Sequence, residues 1–266
     1  MSITSDVQVG GDNQGSRRSR LYRVNAIVLR RRDLGETDRI VTVMTAERGK
    51  RRLVAKGSRR PSSRLAGHLE PFCATRLLVA SARSLDIISQ AETIESFGGL
   101  RLSETTIAVA GYLAELVDTL VPDDEANDAL YELLFASYRL LSEGEDHRAV
   151  TFLHEMAMLR QLGYRPELTT CINCGASIEP VVNGLSPDGG IVCDRCLSVR
   201  PDIAPLQLNS LKLLRAADRG DVDLVYSLRI ADSVWTEVGV ALSRYIARIA
   251  GKESPARRVI GELRLE

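Results

Sequence analysis

The chain has 266 residues, 44% hydrophobic and only 5% aromatic. That allows one large unit or two to three small ones, with cores packed mainly by aliphatic side chains. Lys plus Arg and Asp plus Glu each number 35, so the whole chain is not basic, and no stretch is long and apolar enough to span a bilayer. The balance hides an asymmetry: residues 16 to 64 hold sixteen Lys/Arg against four Asp/Glu, a local charge of +12, which points to a polyanionic partner.

Residues 1–19 are rich in Gly, Ser, Asn, Gln and Asp without a hydrophobic period and read as a disordered tail. Arg17-Arg18 does not lead an export signal, because Arg20, Arg23 and Asn25 interrupt the segment behind it. A cytoplasmic location is expected, where thiols stay reduced and paired cysteines suggest metal. From 20 to 97 the signals are those of five short strands: 26–29, ending at three arginines; 39–45; 51–55 after a hairpin turn at Arg48-Gly49; 76–80; and 84–89. Five strands in so short a span predict a small β-barrel or sandwich. The segment 57–67, with Pro61 and three arginines, reads as a basic loop.

After Leu100 the period becomes helical. Helices are predicted over 107–120, closed by Pro122, over 129–141, and over 149–162, closed by Gly163. A cysteine-bearing segment, 167–201, interrupts the pattern, which resumes at 206–217 and 233–249. The reading is an α+β chain: a strand domain at 20–97, and a helical domain at 98–166 and 202–266 with a metal module inserted.

Cys171-Ile172-Asn173-Cys174 and Cys193-Asp194-Arg195-Cys196 are two CxxC pairs eighteen residues apart, the spacing of a structural zinc site. Each tight turn offers two thiolates, and four of them complete a tetrahedron. A closed four-thiolate site leaves no position for water or substrate, so one zinc would stabilise and not catalyse. Cys73 is unpaired beside Phe72 and reads as a small buried hydrophobe.

The candidate nucleic-acid contacts are Arg30, Arg31, Arg32, Arg39, Lys50, Arg51, Arg52, Lys56, Arg59, Arg60 and Arg64. Such one-sided density is costly without a polyanion, and small barrels often carry single-stranded nucleic acid. Only Tyr22, Phe72 and Phe97 could stack on bases there. Binding should therefore be mainly electrostatic, with a log K against log salt slope of about −4 for six phosphates of a single strand.

No phosphate-binding, dinucleotide, metalloprotease or nucleophile-elbow motif is present, and His68, His147 and His154 are scattered. An enzyme is not expected. A zinc-ribbon factor for RNA or protein contact is the alternative reading of the same residues.

The run Gly35-Glu36-Thr37-Asp38-Arg39-Ile40-Val41, with Gly49-Lys50, Ala55-Lys56-Gly57, Leu69-Glu70-Pro71-Phe72 and Gln90-Ala91-Glu92, resembles the RecO family of bacterial DNA repair proteins, zinc-binding members included. The resemblance implies an OB-fold, a helical domain and a zinc module. It implies a recombination mediator that binds single- and double-stranded DNA and anneals complementary strands. It further implies a RecR-type partner, contact with the tail of single-strand-binding protein, indirect service to RecA, and a nucleoid-associated location. The basic positions above fall on the family's DNA-binding barrel.

Overall fold

The structure, a computed structural model, describes residues 21–263; the tail expected at 1–19 lies outside the described residues. Five strands, β1 (Leu21–Leu34), β2 (Asp38–Thr45), β3 (Gly49–Ala55), β4 (Ala74–Ala80) and β5 (Ile87–Glu95), close into a barrel in the order β1-β2-β3-β5-β4. Every pairing is antiparallel except the closing one, where β3 meets β5 in parallel through Val54 and Ile87.

Alternation along the strands builds two cores at once. Val24, Ala26 and Val28 of β1 point into the barrel with Val41, Val43, Leu53, Leu77 and Val79. The opposite face of the same strands sends Ile27, Leu29 and Met44 into a second, larger core shared with the helices. This is the period-2 pattern of a strand buried on both faces, and it leaves little exposed surface on β2.

Three helices follow: α1 (Glu104–Leu120), α2 (Asp128–Glu143) and α3 (His147–Gln161). Asn127 caps α2, its side-chain oxygen accepting from the Leu130 N–H at 3.0 Å, and Asp146 caps α3 in the same way through Arg148. A three-stranded sheet, β6 (Asn183–Ser186), β7 (Gly190–Val192) and β8 (Pro205–Leu206), carries the cysteines together with the one-turn helix α4 (Asp194–Leu197). Helices α5 (Leu208–Arg219), α6 (Val222–Ser227), α7 (Asp232–Ala250) and α8 (Pro255–Leu263) complete the chain. Leu185, Ile191, Val192, Ile203 and Leu206 of the cysteine segment join the helical core.

Several expected boundaries shift. Strand β1 does not stop at Leu29; it runs through Arg30, Arg31 and Arg32, which pair with Thr42, Val41 and Ile40. The backbone ladder, with acidic partners for the guanidinium groups of Arg30 and Arg31, makes strand out of a run that reads as a break. Strand β5 lies at 87–95, because 81–86 is the turn in which Asp86 accepts from the Ala82 N–H. Helices α6 and α8 are too short for the periodicity that revealed the longer ones.

Candidate metal centre and nucleic-acid interface

The cysteine segment folds as two turns facing each other. In the first, the Gly175 N–H reaches back to the Cys171 carbonyl at 2.8 Å, which requires the left-handed φ of +71° that glycine supplies. In the second, Cys193 is the N-cap of α4, and the Leu197 N–H bonds its carbonyl at 2.8 Å. The turns are joined edge to edge by the Ile172 N–H donating to the Ile191 carbonyl at 3.0 Å.

This brings Cys171, Cys174, Cys193 and Cys196 together with all four sulfurs within 4.8 Å of one another. A tetrahedral zinc with Zn–S bonds near ~2.3 Å sets its sulfurs about 3.8 Å apart, and Cys174 and Cys193 Sγ are separated by 3.8 Å. The donor set and its size fit a zinc ion. Burial opposes ionisation of Cys171, but the N–H groups of Cys193, Cys174 and Asn173 outweigh it and bring that thiol down to about 6. Cys196, hydrogen-bonded to the Cys174 and Cys193 sulfurs, is pushed up to about 12. Four crowded sulfurs cannot all ionise without a cation among them. The site is tied to the helical body by Arg215, whose guanidinium donates to the Leu168 carbonyl at 2.8 and 3.0 Å.

The eleven basic candidates separate into two sets. Seven have acidic partners within the chain. Arg30 meets Asp118 at 2.6 Å, Arg31 meets Glu70 at 2.5 Å, and Arg39 and Arg59 both face Asp33. Arg51 lies between Asp86 and Asp124, and Arg52 binds Asp123 at 3.0 Å. Lys50 is buried, its ammonium donating to the Asp118 carbonyl at 2.6 Å and facing Asp123 at 3.1 Å. Most of this set faces the acidic end of α1 and the segment after it, so it joins the barrel to the helices.

The other four, Arg32, Lys56, Arg60 and Arg64, are exposed, with no carboxylate at ion-pair distance among the described residues. Arg32 stands on β1 two residues before its end, and Lys56, Arg60 and Arg64 ride on the loop 56–64, which the β1–β2 turn holds: the Gly57 N–H donates to Asp38 at 2.8 Å, the Arg59 N–H to the Thr37 carbonyl at 2.9 Å, and the Arg59 guanidinium to the Gly35 carbonyl at 2.9 Å. Ion pairing thus divides the eleven candidates, and these four are the ones without a carboxylate partner among the described residues.

No aromatic of the strand region is free to stack. Tyr22 lies under the Arg48 guanidinium and donates its hydroxyl to Asp86 at 2.6 Å. Phe97 is buried against Phe135 and Tyr138, and Phe72 packs on Tyr138. Sequence reasoning missed the carboxylates that divide the basic set, although Asp123-Asp124-Glu125 directly behind Pro122 is itself a visible acidic run. No helix among the described residues is long and apolar enough to cross a membrane.

Two family models match the chain, recombination protein O N terminal over residues 19–97 and recombination protein O C terminal over residues 101–258. Curated relatives include the DNA repair protein RecO of Roseiflexus sp. (strain RS-1), 36% identical over 93% of this chain and 87% of its own length. That of Symbiobacterium thermophilum is 34% identical over 92% of this chain and 98% of its own, and that of Bacillus pumilus is 32% identical over 91% and 94%. With a barrel matched by one model and the helical and cysteine-bearing part by the other, the chain belongs to the RecO family.

Proposed function

We propose that this chain is a non-enzymatic mediator of DNA repair and homologous recombination. The barrel is read as an OB-fold that binds single- and double-stranded DNA, and the remainder as a helical domain (98–166 and 202–266) around a structural zinc module (167–201). The names of the relatives support a repair role. The observation that carries the DNA-binding part is that Arg32, near the end of β1, and Lys56, Arg60 and Arg64, on the loop 56–64, are exposed without carboxylate partners among the described residues, while the other seven candidates are paired with carboxylates of the chain. An exposed cationic cluster on a held loop is suited to phosphates. With Tyr22, Phe72 and Phe97 already engaged, recognition falls on the backbone, with little sequence selectivity.

Annealing follows from the same chemistry. Two complementary strands repel through their phosphates, and cations that neutralise one of them lower the barrier to approach of the second. The zinc, held by Cys171, Cys174, Cys193 and Cys196, would supply cross-linking of the two cysteine turns and no reactive position. A RecR-type partner, the tail of single-strand-binding protein, indirect loading of RecA and a cytoplasmic, nucleoid-associated location belong to the same reading.

The test is annealing of complementary oligonucleotides and binding of labelled single strands by a variant carrying Arg32→Gln, Lys56→Gln, Arg60→Gln and Arg64→Gln. Annealing should fall to near background, and the salt slope should lose about 0.7 for each phosphate contact removed. Unchanged annealing with an unchanged slope refutes the assignment.

A further inference from the structure

Asp38 stands inside the most basic part of the chain, where electrostatics alone would disfavour an acid on a DNA-binding surface. Its carboxylate accepts the Gly57 N–H at 2.8 Å and the Thr37 hydroxyl at 2.9 Å. The bond to Gly57 leads the causes that hold the carboxyl below its ordinary range, ahead of the hydroxyl and the charges of Lys56 and Arg60, so it is ionised at neutral pH.

The loop it holds has no strand or helix of its own from 56 to 64 and is shaped by two turn bonds, Arg60 N–H to the Gly57 carbonyl and Ser63 N–H to the Arg60 carbonyl. Its outside anchors come from the β1–β2 hairpin: Asp38, the Thr37 and Gly35 carbonyls, and Asp33 facing Arg59 at 3.3 Å. Three of the four unpartnered cations, Lys56, Arg60 and Arg64, ride on this loop.

We propose that Asp38 is a positioning residue for DNA binding, fixing the 56–64 loop through Gly57 so that Lys56, Arg60 and Arg64 meet one phosphate backbone together. This rests on the reading of the barrel as the DNA site. A loose loop would have to be ordered at the moment of binding, at an entropic cost that a preformed one avoids. The local rule that acids repel DNA is broken here because the geometric gain exceeds the loss of one unit of positive charge. The same argument explains why an acid follows Gly35-Glu36-Thr37 directly before Arg39: the motif holds a loop and performs no chemistry.

The experiment measures binding of fluorescein-labelled oligothymidine by the full chain as a function of salt, for wild type, Asp38→Ala and Asp38→Asn, with thermal melting of each. Asp38→Ala makes the surface more positive, yet affinity should fall about three- to tenfold, the net effect of losing one hydrogen bond. Its salt slope should become shallower by about 0.7 for each phosphate no longer engaged. Asp38→Asn keeps an oxygen to accept the Gly57 N–H and should stay within about twofold of wild type. All three should melt within a few degrees of one another, since the loop lies outside both cores. Tighter or equal binding by Asp38→Ala overturns the proposal, as does Asp38→Asn falling as far as Asp38→Ala. A wild type without salt-dependent binding would remove the barrel reading itself, and this one with it.

Discussion

Asp124 Oδ1 lies 2.9 Å from Arg51 Nη1, across the junction between the barrel and the helices. The contact is part of a strap. The Asp124 N–H bonds the Lys50 carbonyl at 3.0 Å, Asp124 adopts a left-handed φ of +65°, and Gly49 is approached so closely that a Cβ there would lie 1.8 Å from the Glu125 carbonyl oxygen. The main chain thus fixes where the acids sit, and the acids cover Arg51 and Arg52.

Two consequences can be measured. Reversing the charge of Arg51 and Arg52 breaks the junction, so a loss of annealing would come with a fall in melting temperature and would say little about DNA contact. Replacing Asp86, Asp123 and Asp124 by Asn removes every carboxylate paired with the two guanidinium groups. Single-strand binding should then tighten, and its salt slope should steepen by about 1.4 as two further phosphates come within reach. A slope equal to that of wild type would show that Arg51 and Arg52 serve the junction alone.

Metal content is the most direct check on the cysteine cluster. Freshly purified protein should carry one zinc per chain, and well under half an equivalent would defeat the assignment. Ligand thiols must be deprotonated to bind, so zinc affinity should decline as pH is lowered. Cys171 and Cys193 are buried in the same core as Leu185, Ile191, Leu211 and Leu242. Chelation, or Cys→Ser at any of the four positions, should therefore lower the melting temperature of the helical part as a whole. A metal-free protein that melted unchanged would mean that this core needs no cross-link.

The four cysteines were legible in the sequence because their spacing alone constrains them to two facing turns. The strands were legible because β-branched runs such as Ile40-Val41-Thr42-Val43 leave few alternatives, while their spacing left barrel and sandwich both open until the β3–β5 pairing closed the sheet. What the basic residues do was not legible, since their partners are remote: Lys50 finds the Asp118 carbonyl 68 residues later. A charge count over a window registers cations and misses acids that arrive from another element. The Arg30–Arg32 run misled in the same way, reading as the end of a strand although Asp118 and Glu70 accommodate two of its side chains.

His154 offers a pH test within the helical core. It is buried, its Nδ1 is 2.9 Å from the Ser137 hydroxyl, and burial lowers it from 6.5 to about 3. Between those two values the unfolded chain binds a proton at this position that the native chain does not. Stability from this residue is therefore complete above 6.5 and is lost as the pH falls, by about 1.4 kcal/mol per pH unit. Urea denaturation between pH 7.5 and 5 should show a slope steeper in wild type than in His154→Gln by about one proton; equal slopes would mean that His154 does not stay neutral in the fold.

Helix α8 is held by a buried ion pair. Arg257 faces Glu155 at 3.5 Å, with side-chain exposures of only 14% and 1%. The Tyr112 hydroxyl donates to the same carboxylate at 2.7 Å, and Arg257 also donates to the Gly239 carbonyl at 3.2 Å. The group thereby joins α1, α3, α7 and α8. Removing one partner leaves a charge uncompensated inside the protein, so Arg257→Ala should cost about 3–5 kcal/mol of unfolding free energy. Replacing both charges, with Glu155→Gln and Arg257→Met, should cost less than the single change, because nothing ionised is then left buried. A helix merely resting on the surface would give a change within about 0.5 kcal/mol for Arg257→Ala. A double variant less stable than the single one would mean that the charge pair itself, and not its desolvation balance, holds α8 in place.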